Sequence, residues 1–128
     1  MPRDRKDTLA RVEHGELRAG FTHHPPEVDC HAGGPRGDEV AMIERLAAKL
    51  EARLVTTCAS EAELVEDLRA LRIDIAAGAF DGQSPWRKRA GATLPHSRHS
   101  GRRFLVPPGE NAWLMRVDRL IASAELSP

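Results

Sequence analysis

The sequence predicts an α/β domain in which a mostly parallel sheet carries helices on both faces. Strand-like and helix-like segments alternate along the chain with connections of a few residues, which is typical of right-handed strand–helix–strand units. The apolar residues of 38–51 recur at helical spacing, and the run RIDIAAGAF at 72–80 is apolar enough for a strand buried on both faces. The chain has 128 residues, enough for one core and one such lobe.

Each predicted element has a reason in the sequence. Residues 1–14 contain a short helix, and the alternating residues 16–22 form a strand that Pro25 and Pro26 stop. Ser60 and Glu63 have the spacing of a capping box. The remaining elements are, in order, a helix at 38–51, a strand at 52–58, a helix after Ser60, a strand at 72–80, a short helix near Pro85, a strand at 102–107 and a helix at 109–124. About four strands are therefore expected.

Composition excludes several classes of function. Nineteen cations balance nineteen anions, and only 4% of the residues are aromatic, so neither charge nor base stacking favours nucleic acid. No apolar run approaches the roughly 20 residues of a membrane span. The charged N-terminus lacks the apolar core of a signal peptide. The chain is therefore expected to be periplasmic if a signal peptide was removed, and otherwise cytoplasmic.

Several polar side chains follow the predicted strands and should meet at one edge of the sheet, since ligands bind outside the carboxyl ends of parallel strands. Arg87, Lys88 and Arg89 open the short helix, where the dipole disfavours positive charge. This placement favours a bound anion, and the alternative is an ordinary solvated helix start. The side chains expected at this edge are His23, His24, Cys58, Phe80, Asp81 and the turn 84–87.

The two cysteines and the histidine-rich loop leave alternatives open. Cys30 and Cys58 follow neighbouring strands, so a disulfide is geometrically possible and would imply an oxidising compartment; two free thiols are the preferred interpretation. His23, His24 and His31, with these cysteines, could bind zinc or copper. Their spacing matches no standard ligand pattern, and adjacent strand residues point to opposite faces. We therefore expect a histidine-rich surface, with no metal and no cofactor.

Five segments occur in an order that resembles a known family. They are TLARVEHGELRAGFTHHPPEV, RGDEVAMIERLAAKLEARLVTT, LVEDLRALRIDIAAGAF, SPWRKRAGATLPHS and LVPPGENAWLMRVDRLIAS. Together they cover nearly the whole chain and resemble the type 2 periplasmic solute-binding proteins, in particular family 3, which serves polar amino-acid ABC transporters. The resemblance implies a single Rossmann-like lobe of that fold.

The resemblance also implies that a lobe is missing. Family members clamp the ligand between two α/β lobes, whereas here the segment LPHSRHSGRRFLVP runs directly into what resembles the family's C-terminal helix. About 100 residues of a second lobe are absent at this point. We therefore expect one domain over residues 1–128, and self-association or a partner protein in place of the second lobe. An ABC transporter permease is a further expected partner.

The resemblance assigns the candidate site residues one at a time. Arg87 corresponds to the arginine that grips the ligand carboxylate, and Ser84 would cap the helix and donate to an anion. The family's hydroxyl residues are replaced at Ala79–Gly82, and His96 stands where a tyrosine is usual. Trp86 would either line the ligand edge or pack the short helix. The predicted ligand-binding residues are Arg87, Ser84, Asp81, Phe80, His23, His24 and Trp86.

These observations favour a binding protein over an enzyme. The sequence has no nucleophile elbow that would support covalent catalysis. The expected function is binding of a small anionic or zwitterionic solute, an amino acid or organic acid, in association with a transporter. The alternative is an interaction module that has lost solute binding and docks a protein at the same edge.

Overall fold

The computed structural model describes residues 2–31, 33–97 and 100–127, and the side chain of Arg87 lies outside the described part. Its elements, in chain order, are α1 (Thr8–Val12), β1 (Glu16–Phe21), α2 (Asp38–Lys49), β2 (Arg53–Cys58), α3 (Glu61–Arg69), β3 (Ile75–Ala77), a 3-10 turn (Pro85–Lys88), β4 (Gly91–Ala92), β5 (Leu105–Val106) and α4 (Asn111–Ala122). No helix among these residues is long and apolar enough to cross a membrane.

The five strands form one sheet in the order β2-β1-β3-β5-β4. Strand β1 pairs in parallel with β2 and with β3. Phe21 at the end of β1 lies opposite Cys58 in β2 and opposite Ala77 in β3. Strand β5 is antiparallel to both β3 and β4. Four strands therefore run in one direction and one runs back, which confirms the predicted mostly parallel sheet.

Helices cover both faces of the sheet, as predicted. Helices α1, α2 and α4 pack on one face, where the core includes Ile43, Leu46 and the fully buried Trp113. Helix α3 packs on the other face through Leu64 and Leu68. The capping box at the start of α3 is present, since Ser60 accepts from the backbone of Glu63 and the Glu63 side chain accepts in return. The helical periodicity thus identified the buried faces correctly.

The strands are shorter than the sequence predicts. The apolar run 72–80 contains only three strand residues, because Gly78 follows β3 with φ 139°, where a β-carbon would collide with the carbonyl oxygen of Thr22. The predicted strand 102–107 contracts to Leu105–Val106. Strand β4 has two residues, too few to leave a periodic pattern in the sequence, and was not predicted.

Cys30 and Cys58 form a disulfide, so the free-thiol interpretation is wrong. The Cα atoms lie 6.3 Å apart, because Cys58 ends β2 beside Phe21, the last residue of β1. The bond ties the loop 22–37 to the neighbouring strand. The parallel pairing of β1 with β2 is what brings the two cysteines together.

Asp118 in α4 provides a test of pH-dependent stability. Burial raises the pKa of its carboxyl, and the hydrogen bond from the Leu94 backbone and the charge of Arg103 offset this only in part. An acid whose pKa rises on folding holds its proton longer in the native state, so stability decreases as pH rises from its ordinary pKa through the raised value. Asp118→Asn keeps an acceptor for Leu94, and we expect its melting temperature at pH 7 to equal or exceed that of the wild type. Thermal unfolding between pH 4 and 7 measures this, and a lower melting temperature at pH 7 contradicts it.

Candidate functional site

The topology gathers polar residues at the carboxyl edge of the sheet. Residues after β1, β3 and β4 emerge there, and because β5 runs in the opposite direction, residues before β5 reach the same edge. A pocket of about 520 Å³ opens at this edge, within the size range of small-molecule sites. Its polar lining includes His24, Glu27, Glu39, Asp81, His96 and Arg102.

A buried charged cluster forms the floor of the pocket. Glu39, in the first turn of α2, is fully buried. Its Oε2 atom lies 2.6 Å from Nε2 of His96, and its Oε1 accepts a hydrogen bond of 2.7 Å from Nη2 of Arg102. The His96 ring also stacks on Phe104, with the centroids 4.7 Å apart. Both oxygens of a carboxylate removed from water are therefore occupied, as its burial requires.

Arg102 extends this cluster towards the loop 22–37. Its Nη1 lies 3.3 Å from Nδ1 of His24 and 3.7 Å from Oε1 of Glu27, and the same two atoms of His24 and Glu27 are 3.2 Å apart. Among the described residues, the buried Nε of Arg102 has no hydrogen-bond partner. One guanidinium thus joins a carboxylate of α2 to two side chains of the loop.

The loop is shaped to lie against the start of α2. His24 and Val28 form an isolated backbone bridge around the cis peptide bond between Pro25 and Pro26. The Glu27 carbonyl accepts from the backbone N–H of Glu39 at 3.2 Å. Gly37 has φ 128°, and a β-carbon there would collide with that same carbonyl. Glycine at this position therefore permits the close approach that brings His24 and Glu27 to Arg102.

The charge of the pocket favours cations. Its lining contains the carboxylates of Glu27, Asp38, Glu39 and Asp81 and the guanidinium of Arg102. Glu39 is already paired with His96 and Arg102, and Glu27 lies against His24 and Arg102. Within the part of the chain that the structure describes, the carboxylate of Asp38 has no hydrogen bond or ion pair, and the carboxylate of Asp81 accepts a hydrogen bond from the backbone N–H of Gln83, at 2.8 Å. Two carboxylates thus remain to receive a positively charged group.

Three solved structures with a similar fold are amino-acid-binding proteins. The arginine-bound domain 1 of TmArgBP has a TM-score of 0.73 and 19% identity, over 85% of this chain and 93% of that domain. The L-cystine solute receptor of Neisseria gonorrhoeae has a TM-score of 0.60 and 21% identity, over 71% of this chain and 40% of the receptor. The cysteine-binding protein of Campylobacter jejuni has a TM-score of 0.59 and 25% identity, over 69% of this chain and 38% of that protein.

The chain has the fold of one lobe of the periplasmic amino-acid-binding proteins. The resemblance predicted from the sequence is thereby confirmed for the fold. The lobe spans 93% of an isolated domain but only 40% and 38% of the two longer proteins. No protein-family model and no curated protein matches the chain.

Two of the predicted ligand-binding residues, His24 and Asp81, line the pocket of the lobe. Phe80 does not, because its ring is fully buried in the core under α3 and cannot contact a solute. The hydroxyl of Ser84 caps the 3-10 turn by accepting from the Trp86 backbone, and Ser84 is itself buried. The Trp86 indole donates to Glu61 of α3 at 3.1 Å. Trp86 thus packs the short helix against α3 in this structure.

His23 and Arg87 complete the predicted set. His23 does not line the pocket, and its Nδ1 accepts from the backbone N–H of Cys30. The Arg87 side chain lies outside the described residues, so its role remains a prediction. Of its two cationic neighbours, Arg89 is exposed and pairs with Glu66 at 3.3 Å, as a solvated helix start would.

The sequence interpretation missed the charged floor of the pocket. Glu39 lies four and seven positions before Ile43 and Leu46, on the apolar stripe of α2. A carboxylate on a buried helical face indicates a partner elsewhere in the chain, and this signal could have identified Glu39. Arg102 carries no such signal, since it precedes a strand of only two residues.

Proposed function

We propose that the lobe binds a small amino acid with a basic side chain in the pocket at the carboxyl edge of the sheet. The observation that carries the proposal is the excess of carboxylates in the lining, with Asp38 and Asp81 open to a cationic group. The ligand's ammonium or guanidinium would lie against these two residues, and its α-carboxylate would be held by Arg87, as the resemblance implies. The anionic solutes expected from the sequence fit this charge poorly.

Structural neighbours support the same ligand class. The related structures include an arginine-bound domain and a transporter binding component of Wolinella succinogenes complexed with lysine. Binding without catalysis, in association with a transporter, is the function that these relatives suggest for this lobe. The disulfide suits an exported protein in an oxidising compartment such as the periplasm.

The open geometry of the lobe implies a covering partner. Only residues 107–110 connect β5 to α4, so no second lobe is inserted between these elements. An uncovered site buries less of a ligand than the 70–90% that is typical of tight pockets, so we expect weak binding by the lobe alone. A second copy, a partner protein or a transporter subunit would provide the missing wall.

Ligand-dependent thermal stability tests this proposal. We expect L-arginine and L-lysine to raise the melting temperature of the lobe and L-glutamate to leave it unchanged, because stabilisation follows selective binding to the native state. Asp81→Asn should weaken arginine binding by about tenfold in calorimetry, corresponding to about 1.4 kcal/mol. Glu44→Gln, an exposed change on α2 outside the pocket lining, is the matched control and should bind arginine as the wild type does.

The second candidate function is an interaction module, here on the open edge of the sheet along β2 and not at the carboxyl edge where the sequence analysis placed it. Strand β2 forms one edge of the sheet, and most of its side chains are exposed, including Val55. Such an edge is a surface on which another chain can pair. Two results together would support this candidate over solute binding. Amino acids would leave the melting temperature unchanged, and sedimentation would show dimers at tens of micromolar, an order-of-magnitude concentration for weak complexes.

A further inference from the structure

We propose that His23, Asp29 and His31 form a binding site for a divalent transition-metal ion such as Zn²⁺. One ligand atom from each of these three side chains lies within 4.8 Å of the other two. The site lies in the loop between β1 and α2, on side chains that do not line the amino-acid pocket. It is therefore independent of the proposed solute binding, and either one can fail without the other.

The loop holds the three residues in place before any ion arrives. Asp29 and Arg36 form a backbone bridge with hydrogen bonds of 2.7 and 2.9 Å in both directions. Cys30, between two of the ligands, is fixed to Cys58 by the disulfide, and its N–H donates to Nδ1 of His23 at 3.1 Å. The His31 N–H donates to Oδ1 of Asp29 at 2.8 Å. The fold thus fixes the backbone positions of the three ligands, while the His23 side chain must rotate to bind an ion.

The spacing of the ligand atoms is close to that of a metal site. Nδ1 of His23 lies 3.8 Å from Oδ1 of Asp29, whereas two ligands of a tetrahedral zinc ion lie roughly 3.4 Å apart, given bonds of about 2.1 Å. The His23 and His31 rings stack with centroids 4.0 Å apart and an interplanar angle of 14°, so both imidazoles are on the same side of the loop. Because an imidazole donates its lone pair in the ring plane, one ring must turn out of this stack before both can bind one ion. Rotation of the His23 side chain would close the site, with loss of the ring stack and of the hydrogen bond from Cys30 to His23.

The donor chemistry defines the class of ion. Two imidazoles and one carboxylate suit borderline ions such as Zn²⁺, Ni²⁺ and Cu²⁺ better than Mg²⁺ or Ca²⁺, which prefer oxygen ligands. The two cysteines are oxidised and supply no thiolate, and His24 faces Glu27 and Arg102 instead. Three protein ligands leave at least one position of a four-coordinate ion open to water or to an outside ligand, because both histidines are exposed.

Calorimetric titration of the untagged, disulfide-intact chain with ZnCl₂ tests the proposal. We expect one equivalent of Zn²⁺ to bind, while MgCl₂ gives no heat of binding. His31→Ala should weaken Zn²⁺ binding by at least about tenfold. Asp29→Asn should also weaken it, while retaining an oxygen that accepts the His31 N–H, so its effect reports ligation and not loop structure. Melting temperatures measured without metal identify any variant that is misfolded.

Two other histidines provide matched controls. His14→Asn changes an exposed histidine before β1, at the end of the strand opposite to the proposed site, at a residue with φ 59°, which asparagine tolerates. His24→Ala removes the histidine next to His23. Both should bind Zn²⁺ as the wild type does. Absence of Zn²⁺ binding, or wild-type binding by folded His31→Ala and Asp29→Asn, overturns the proposal.

Discussion

Replacing Glu39 with alanine is expected to lower the free energy of unfolding by about 3–5 kcal/mol. The substitution removes the carboxylate that receives Arg102 and His96 and leaves a guanidinium buried with no full counter-charge. The same change leaves a cavity beside the fully buried Ile43. Equilibrium urea unfolding followed by circular dichroism measures the loss, provided that the variant is still folded without denaturant.

Two comparisons separate the effect of charge from that of helix α2. Glu44→Ala changes an exposed glutamate of the same helix and should alter stability by no more than about 0.5 kcal/mol. Glu39→Met combined with Arg102→Met replaces both charges with apolar side chains, and we expect it to recover part of the loss, because no guanidinium then remains buried. A loss below about 1 kcal/mol for Glu39→Ala would show that the cluster contributes little.

The cluster also connects stability to the site. Arg102 contacts Glu39 on one side and His24 and Glu27 on the other, so the loop wall of the pocket depends on the buried floor. In the double methionine variant the fold should be largely retained while His24 and Glu27 lose their anchor. Weaker arginine binding in that variant, at a stability above that of Glu39→Ala, is the expected signature.

The helices were predictable because their determinants are local. The apolar spacing in 38–51 and the pair Ser60 and Glu63 each specify a helix within a dozen residues, and both were confirmed. The short strands were less predictable. Strand β4 has two residues, and β3 ends at a glycine whose conformation depends on a carbonyl of another segment. Tertiary contacts, which no local pattern encodes, determine these boundaries.

The site was only partly predictable because its contacts are distant in sequence. Strand topology placed His24 and Asp81 at the edge where the pocket opens, since both follow parallel strands. The floor joins Glu39 to Arg102 across 63 positions, a pairing that the sequence pattern cannot show. Phe80 was predicted to contact the ligand because it follows a strand, but its apolar ring is buried in the core under α3.

Removing the disulfide is the second change with a large expected effect. The bond links residues 28 positions apart, and the entropy of closing such a loop corresponds to about 3–4 kcal/mol of stabilisation. We therefore expect Cys30→Ser combined with Cys58→Ser to lower the melting temperature by on the order of 10 °C for a domain of this size. Thermal unfolding of the variant beside the oxidised and the reduced wild type measures the effect. Reductant should lower the melting temperature of the wild type and leave the double variant unchanged.

The same variant discriminates between the two binding sites. His23, Asp29 and His31 surround Cys30 directly, so losing the disulfide should weaken Zn²⁺ binding strongly. Arginine binding should weaken less, because the pocket residues of the loop keep their own anchors in the backbone bridge from His24 to Val28 and in Arg102. Unchanged stability on reduction would mean that the backbone bridges alone order the loop. If a folded variant lost affinity for Zn²⁺ and for arginine equally, the loop would behave as one unit and its two halves would not be separately anchored.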